Sequence, residues 1–133
     1  KQLRSATARY HNVAIALKDG YIPVGECEVH EGEEPGGIPY ANIEYLTDGM
    51  IDPSKPDALL YEPVKNGKLR LVGVELAVPY PMWTEEQPPE FFGYEFRPED
   101  EMGVFGLHVW IWRSNPDGMF AWGNARVSCG EES

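Results

Sequence analysis

The chain has 133 residues, with 11 basic against 22 acidic side chains and a formal net charge of −11. This length predicts a single domain over residues 1–133, and the 42% hydrophobic content is enough for a folded core. The charge argues against nucleic acid as a partner, since nucleic acid is bound by clustered Lys and Arg, and no apolar run is long enough to predict membrane insertion.

Apolar residues recur at spacings of three and four over residues 3–18, which predicts an amphipathic N-terminal helix. Gly20 follows as a C-terminal stop. His11 lies beside the apolar stripe and is expected on the flank of the helix. The glycine-rich, acidic composition of residues 21–57 indicates irregular structure with one short strand around residues 43–46.

Two apolar segments flank Asn66-Gly67, the strongest signal for a two-residue hairpin. A type I′ turn places Lys65 opposite Lys68. The same register pairs the following residues: Leu59 with Val74, Leu60 with Gly73, Tyr61 with Val72, Glu62 with Leu71 and Val64 with Leu69. Since side chains alternate between faces, one face is predicted to be core and to take the helix. That face carries Leu59, Tyr61, Val72, Val74, Leu76 and Val78.

The proline-rich segment 79–103 predicts a long loop without strand pairing, because proline cannot donate to a ladder. Its aromatic residues, Trp83 among them, must pack on the domain or on a ligand. Residues 104–112 alternate as a strand, with His108, Trp110 and Trp112 on one face. A turn at 115–118 precedes a last predicted strand at 119–128.

These elements predict an α+β fold. An N-terminal helix packs on an antiparallel sheet of about four to five strands, with a long proline-rich loop. The second face of the sheet then holds His108 together with Glu62 and Glu75, and the loop 79–103 is the expected cover.

The favoured interpretation of this face is an aromatic pocket for a small apolar or aromatic ligand, without a cofactor. Its predicted lining residues are His108, Trp110, Trp112, Glu62, Glu75 and Trp83. One alternative is a metal-dependent enzyme that uses His108, Glu75 and Glu62, with His30 as a possible second imidazole. A protein-interaction module with exposed aromatic residues is another. A structural interpretation also stays open, in which the two carboxylates pair with arginines and His108 is a core residue. No catalytic motif is recognisable, so the interpretation leans away from an enzyme.

Cys27 and Cys129 lie near opposite ends of the chain and lack a Cys-x-x-Cys spacing. They are either two thiols or one disulfide, and we expect the disulfide, which implies an oxidising compartment, secreted or periplasmic. The chain begins at Lys1 without Met, which is consistent with a processed or trimmed form.

Four segments resemble a family of small exported bacterial proteins of uncharacterised function. They are Tyr61-Glu62-Pro63, Gly73-Val74-Glu75, Leu107-His108-Val109-Trp110 and Asn115-Pro116-Asp117-Gly118-Met119-Phe120. The resemblance covers most of the chain and implies export and paired cysteines. This family often has a histidine before the tyrosine of the stretch matching residues 38–42, where this chain has Pro39, and that departure disfavours a metal site here.

Overall fold

The computed structural model describes residues 2–27, 29 and 32–129, and the predicted α+β class is confirmed. Six strands form an antiparallel sheet in the order β1-β2-β3-β4-β8-β7, and β5 and β6 form a separate hairpin. The sheet is slightly larger than predicted. The strands are β1 Tyr21–Pro23, β2 Ile38–Asn42, β3 Ala58–Pro63, β4 Leu69–Pro79, β5 Glu90–Phe91, β6 Tyr94–Glu95, β7 Arg97–Glu99 and β8 Val104–Val109.

The predicted N-terminal helix is divided into α1 (Gln2–Thr7), a 3₁₀ turn (Ala8–His11) and α2 (Val13–Lys18). The break lies at Asn12, whose backbone is extended and whose side chain accepts a hydrogen bond from the Ala14 N–H. Asparagine competes with helical backbone bonding in this way and so starts a new helix. In the described part of the chain no helix is long and apolar enough to cross a bilayer.

The expectation for residues 21–57 was wrong in two respects. The segment contributes two strands, β1 and β2, to the edge of the sheet. The predicted strand at 43–46 is instead the short helix α3 (Ile43–Leu46), because the Asn42 side chain caps its first turn by accepting from the Tyr45 N–H.

The hairpin of β3 and β4 forms as predicted, but its turn has one more residue. The Val64 N–H donates to the Lys68 carbonyl, so Lys65 does not lie opposite Lys68. A bulge after Leu60 restores the predicted pairs Leu59–Val74 and Leu60–Gly73. Because of the bulge, two side chains lie on the opposite faces from those predicted. Leu71 packs on the helical side, and Val72 packs with Leu60 on the other face.

The segment 79–103 does pair, contrary to prediction. It holds the hairpin β5–β6 and the edge strand β7, which pairs with β8. The predicted strand 104–112 ends at Val109, and the predicted strand at 119–128 is a series of turns.

The first face of the sheet packs against the N-terminal helices, and the segment after β8 covers part of the second face. Trp110 and Val127 pack there with Leu60 and Val72. The cover is therefore the C-terminal segment, not the proline-rich loop that we predicted. The predicted disulfide Cys27–Cys129 is confirmed and ties this segment to the loop after β1, and such bonds persist in oxidising compartments.

Candidate functional site

Glu75 and His108 lie directly opposite each other on β4 and β8, on the second face of the sheet. His108 is fully buried and Glu75 is 6% exposed. The His108 Nε2 lies 3.5 Å from the Glu75 Oε1. Glycine at 106 makes room for this pair, because a Cβ there would overlap the Glu75 carboxylate.

The His108 ring is held in one orientation. Its Nδ1 lies 2.6 Å from the Trp122 carbonyl oxygen, and the ring stacks on the Trp122 indole with centroids 3.7 Å apart. Since a carbonyl only accepts, Nδ1 carries the proton. The other nitrogen, Nε2, is therefore the one directed at Glu75.

A third ionisable side chain, Glu99 at the end of β7, completes the cluster. One ligand atom from each of Glu75, Glu99 and His108 lies within 4.8 Å of the other two. The Glu75 Oε2 is buried and has no hydrogen-bond partner among the described residues. One imidazole and two carboxylates are a donor set that transition metals accept.

Asp57 lies beside this cluster, at the start of β3. Asp57, Glu75 and Glu99 all line a small cavity of about 30 Å³. The cavity exists because β2, β3 and β4 carry small side chains at this point. Burial raises the pKa of Asp57 to about 8, although its Oδ2 accepts a hydrogen bond from the Ala77 N–H. Nearby negative charges on Asp48 and Glu75 raise the pKa further. Burial therefore favours the neutral, protonated form of Asp57.

A groove of about 610 Å³ opens at the edge of the cluster. Glu99 belongs to both the groove and the cluster, and Trp122, which stacks on His108, also lines the groove. The remaining walls come from the loop after β1, from Pro39, from β7 and from the turn between β7 and β8. They are Val24, Gly25, Glu26, Cys27, Val29, Pro39, Arg97, Pro98, Asp100, Glu101 and Met102.

Glu62 was predicted to lie near His108 but has a structural role elsewhere. It is 2% exposed, pairs with Arg70 at 2.9 Å and accepts a hydrogen bond from the Ser128 N–H. Glu75 pairs with Ala58, four residues from Glu62 along β3, so the backbone positions of the two glutamates are about 13 Å apart along the strand. For Glu62 the structural interpretation therefore holds, because its carboxylate pairs with an arginine.

The predicted tryptophans do not line the groove. Trp110 is buried on the second face, and its Nε1 donates to the Ala121 carbonyl. Trp112 lies beyond the end of β8 and turns to the helical side, where its Nε1 donates to the Thr7 hydroxyl. Trp83 also packs against the helical core, and its Nε1 donates to the Gln87 carbonyl.

Sequence reasoning missed Glu99 and Trp122. Both lie in segments whose backbone structure we predicted incorrectly. The sequence after Glu99, however, contains one signal that could have located it. The residues after it, Asp100 to Gly103, form a tight turn that returns the chain into β8, and Gly103 has the positive φ of 71° that such a turn needs. His30, the predicted second imidazole, lies outside the described residues.

No protein-family model, curated protein or solved structure matches the chain, so the assignment of a function depends on the geometry of the site itself.

Proposed function

We propose that the protein is a small-ligand-binding domain whose ligand is an organic cation with an apolar body, held in the groove beside Trp122. The observation that carries this proposal is the groove itself. Its volume of about 610 Å³ lies within the range of about 300–1,000 Å³ that small-molecule sites occupy.

The charge of the groove supports a cationic ligand. Four carboxylates of the described residues line it, and the formal charge of the whole chain is −11. Arg97 is the basic residue among the described lining residues, and its guanidinium is paired with Glu33 at 3.0 Å. The field in the groove therefore attracts positive charge. The carboxylates are Glu26, Glu99, Asp100 and Glu101.

The apolar part of the lining supports a ligand with a hydrocarbon or aromatic body. Val24, Pro39 and Met102 contribute aliphatic surface, and Trp122 contributes an indole. The Arg97 guanidinium lies 4.6 Å from the centroid of this indole, which is a cation–π contact within the chain.

Export to the cell exterior or the periplasm is part of the proposal. It is supported by the disulfide and by the resemblance to exported bacterial proteins.

The test is an NMR titration of the full chain, with EDTA present, using 2-phenylethylammonium as the probe. We expect saturable shifts of the amides of residues 24–27, 97 and 99–102 and of the Trp122 indole N–H. The neutral isostere 2-phenylethanol and the anion 3-phenylpropionate should bind at least tenfold more weakly, since a hydrogen bond to a charged group contributes about 1.5–3 kcal/mol.

Two variants complete this experiment. Glu101→Gln removes an exposed carboxylate of the groove and should weaken binding of the ammonium ion. Glu86→Gln removes an exposed carboxylate outside the groove and should leave binding unchanged. Equal shifts with the ammonium and carboxylate probes, or no saturable shift in the groove, would contradict the proposal.

A further inference from the structure

We propose that Glu75, Glu99 and His108 form a binding site for a single zinc ion beside the groove, with Glu99 in the groove wall. This goes beyond the proposed ligand binding and does not depend on it, since the ion and the organic cation can be measured separately. It also revises the donor set that the sequence indicates, because Glu99 takes the place of Glu62.

The separation of Glu75 and His108 matches that of two ligands on one ion. Zinc binds imidazole nitrogen and carboxylate oxygen at about 2.0–2.2 Å, so two such atoms at a tetrahedral angle lie about 3.4 Å apart. The observed distance from the His108 Nε2 to the Glu75 Oε1 is 3.5 Å. That distance is long for a hydrogen bond and suits two atoms that share a metal ion.

The orientation of His108 is the one that metal-ligating histidines adopt. Such residues almost always donate the N–H of the second ring nitrogen to a carbonyl or carboxylate, which fixes the tautomer and the ring. The His108 Nδ1–H donates to the Trp122 carbonyl, and stacking on the indole restrains the ring further. Nε2 is therefore the ring nitrogen that can bind an ion together with the carboxylates of Glu75 and Glu99.

The burial of Glu75 is an independent observation that points to a cation. Its Oε2 lies out of solvent and has no hydrogen-bond partner in the part of the chain that the structure describes. A buried carboxylate that lacks donors is strongly disfavoured, and a bound cation removes that penalty.

The position of Glu99 makes the site accessible. Its side chain is half-buried at the wall of the groove, which gives it room to adjust within the 4.8 Å span of the cluster. Three protein ligands leave a fourth tetrahedral position for water or for a donor atom of a molecule in the groove. Because an imidazole is included, zinc is favoured over calcium and magnesium, which prefer all-oxygen sites.

The test uses the full oxidised chain, stripped with EDTA and titrated with ZnSO₄ by calorimetry, and with CoCl₂ by visible absorption. We expect one zinc ion per chain. Cobalt should give the d–d bands of a low-symmetry site, and excess Ca²⁺ should not displace it. No cysteine of the described chain has a free thiol, so a site with thiolate ligands is not a competing source of the signal.

Variants identify the ligands. Glu75→Gln should abolish stoichiometric binding, and Glu99→Gln should weaken it at least tenfold. Glu62→Gln is the matched control, another buried glutamate on the same face, and should leave zinc binding unchanged. Far-ultraviolet circular dichroism of each variant verifies that it is folded. Should Glu75→Gln fail to fold, Glu99→Gln, whose side chain is half-buried, decides the question.

Three results would overturn the proposal. They are the absence of saturable zinc binding, binding that Glu99→Gln leaves unaltered, and loss of binding in Glu62→Gln while Glu99→Gln binds normally. The ligand titration is performed with EDTA, so failure of zinc binding leaves the ammonium-binding result standing, and the converse also holds.

Discussion

Asp57 makes the stability of the folded chain depend on pH. Its pKa in the folded chain is about 8 against an ordinary value of 3.8, chiefly because the carboxyl group is buried. The folded chain therefore binds one more proton than the unfolded chain between these pH values. Stability contributed by this group is present at low pH and is lost as the pH rises through the window, by at most about 1.4 kcal/mol per pH unit.

We predict that Asp57→Asn removes most of this slope and is more stable than the parent chain at pH 8. The asparagine amide oxygen can still accept from the Ala77 N–H, and the nearby charges of Asp48 and Glu75 no longer oppose ionisation at this position. Urea unfolding of the metal-free protein at pH 5, 6, 7 and 8 measures both effects. Identical slopes in the two proteins would show that Asp57 titrates normally.

At the scale of elements, the hairpin β5–β6 carries a strained residue. Phe91 pairs with Tyr94, and the two residues between them, Phe92 and Gly93, have φ values of 52° and 80°. Both central residues of a type I′ turn need positive φ, which suits Asn and Gly and is unfavourable for a bulky side chain. Phe92 is 81% exposed, and the ring contact set against this strain is its stack on Phe91, with centroids 4.5 Å apart.

Phe92→Asn is therefore predicted to raise the free energy of unfolding by about 1 kcal/mol. Met119→Asn is the matched control: Met119 is an exposed residue of similar size without positive φ, and its replacement should give no gain. Thermal unfolding of both variants checks the prediction. A destabilised Phe92→Asn would mean that the phenylalanine makes stabilising contacts in the folded chain.

The sequence predicts elements best where a local signal has one structural meaning. Asn66-Gly67 locates the hairpin, and the helical periodicity locates the N-terminal helices. The bulge after Leu60 and the break at Asn12 depend on competing hydrogen bonds that hydrophobic periodicity does not reveal. Strand β7 was missed because the prolines of the segment 79–103 argued against pairing, although an edge strand such as β7 tolerates Pro98.

The candidate site is also predicted only in part, because only some of its residues lie in elements with a clear local signal. Glu75 and His108 follow from correct strands with correct facing side chains. The predicted hairpin register already separates Glu62 from the strand partner of Glu75 by four residues, so periodicity alone overstated their proximity. Glu99 and Trp122 come from the turn-rich segments, where only long-range packing sets the side-chain positions.

At the scale of the whole molecule, the disulfide holds the groove together. Cys27 lies in the groove wall, and Cys129 ends the described part of the segment that covers the second face. The bond closes a sequence separation of 102 residues, so replacing both cysteines with serine should lower the free energy of unfolding by about 4–5 kcal/mol in the chain-entropy model. Urea unfolding of the double variant beside the oxidised parent measures this, and a loss below about 1 kcal/mol would mean that packing alone holds the two segments together.

The cluster beside the groove is tested most directly by X-ray absorption at the zinc edge of the loaded full chain. We predict a first shell of imidazole nitrogen and carboxylate oxygen at about 2.0–2.2 Å without sulfur, and a changed shell in zinc-loaded Glu99→Gln, which still binds the ion. An all-oxygen shell, or a spectrum that Glu99→Gln leaves unaltered, would contradict the assignment of Glu75, Glu99 and His108 as one metal site.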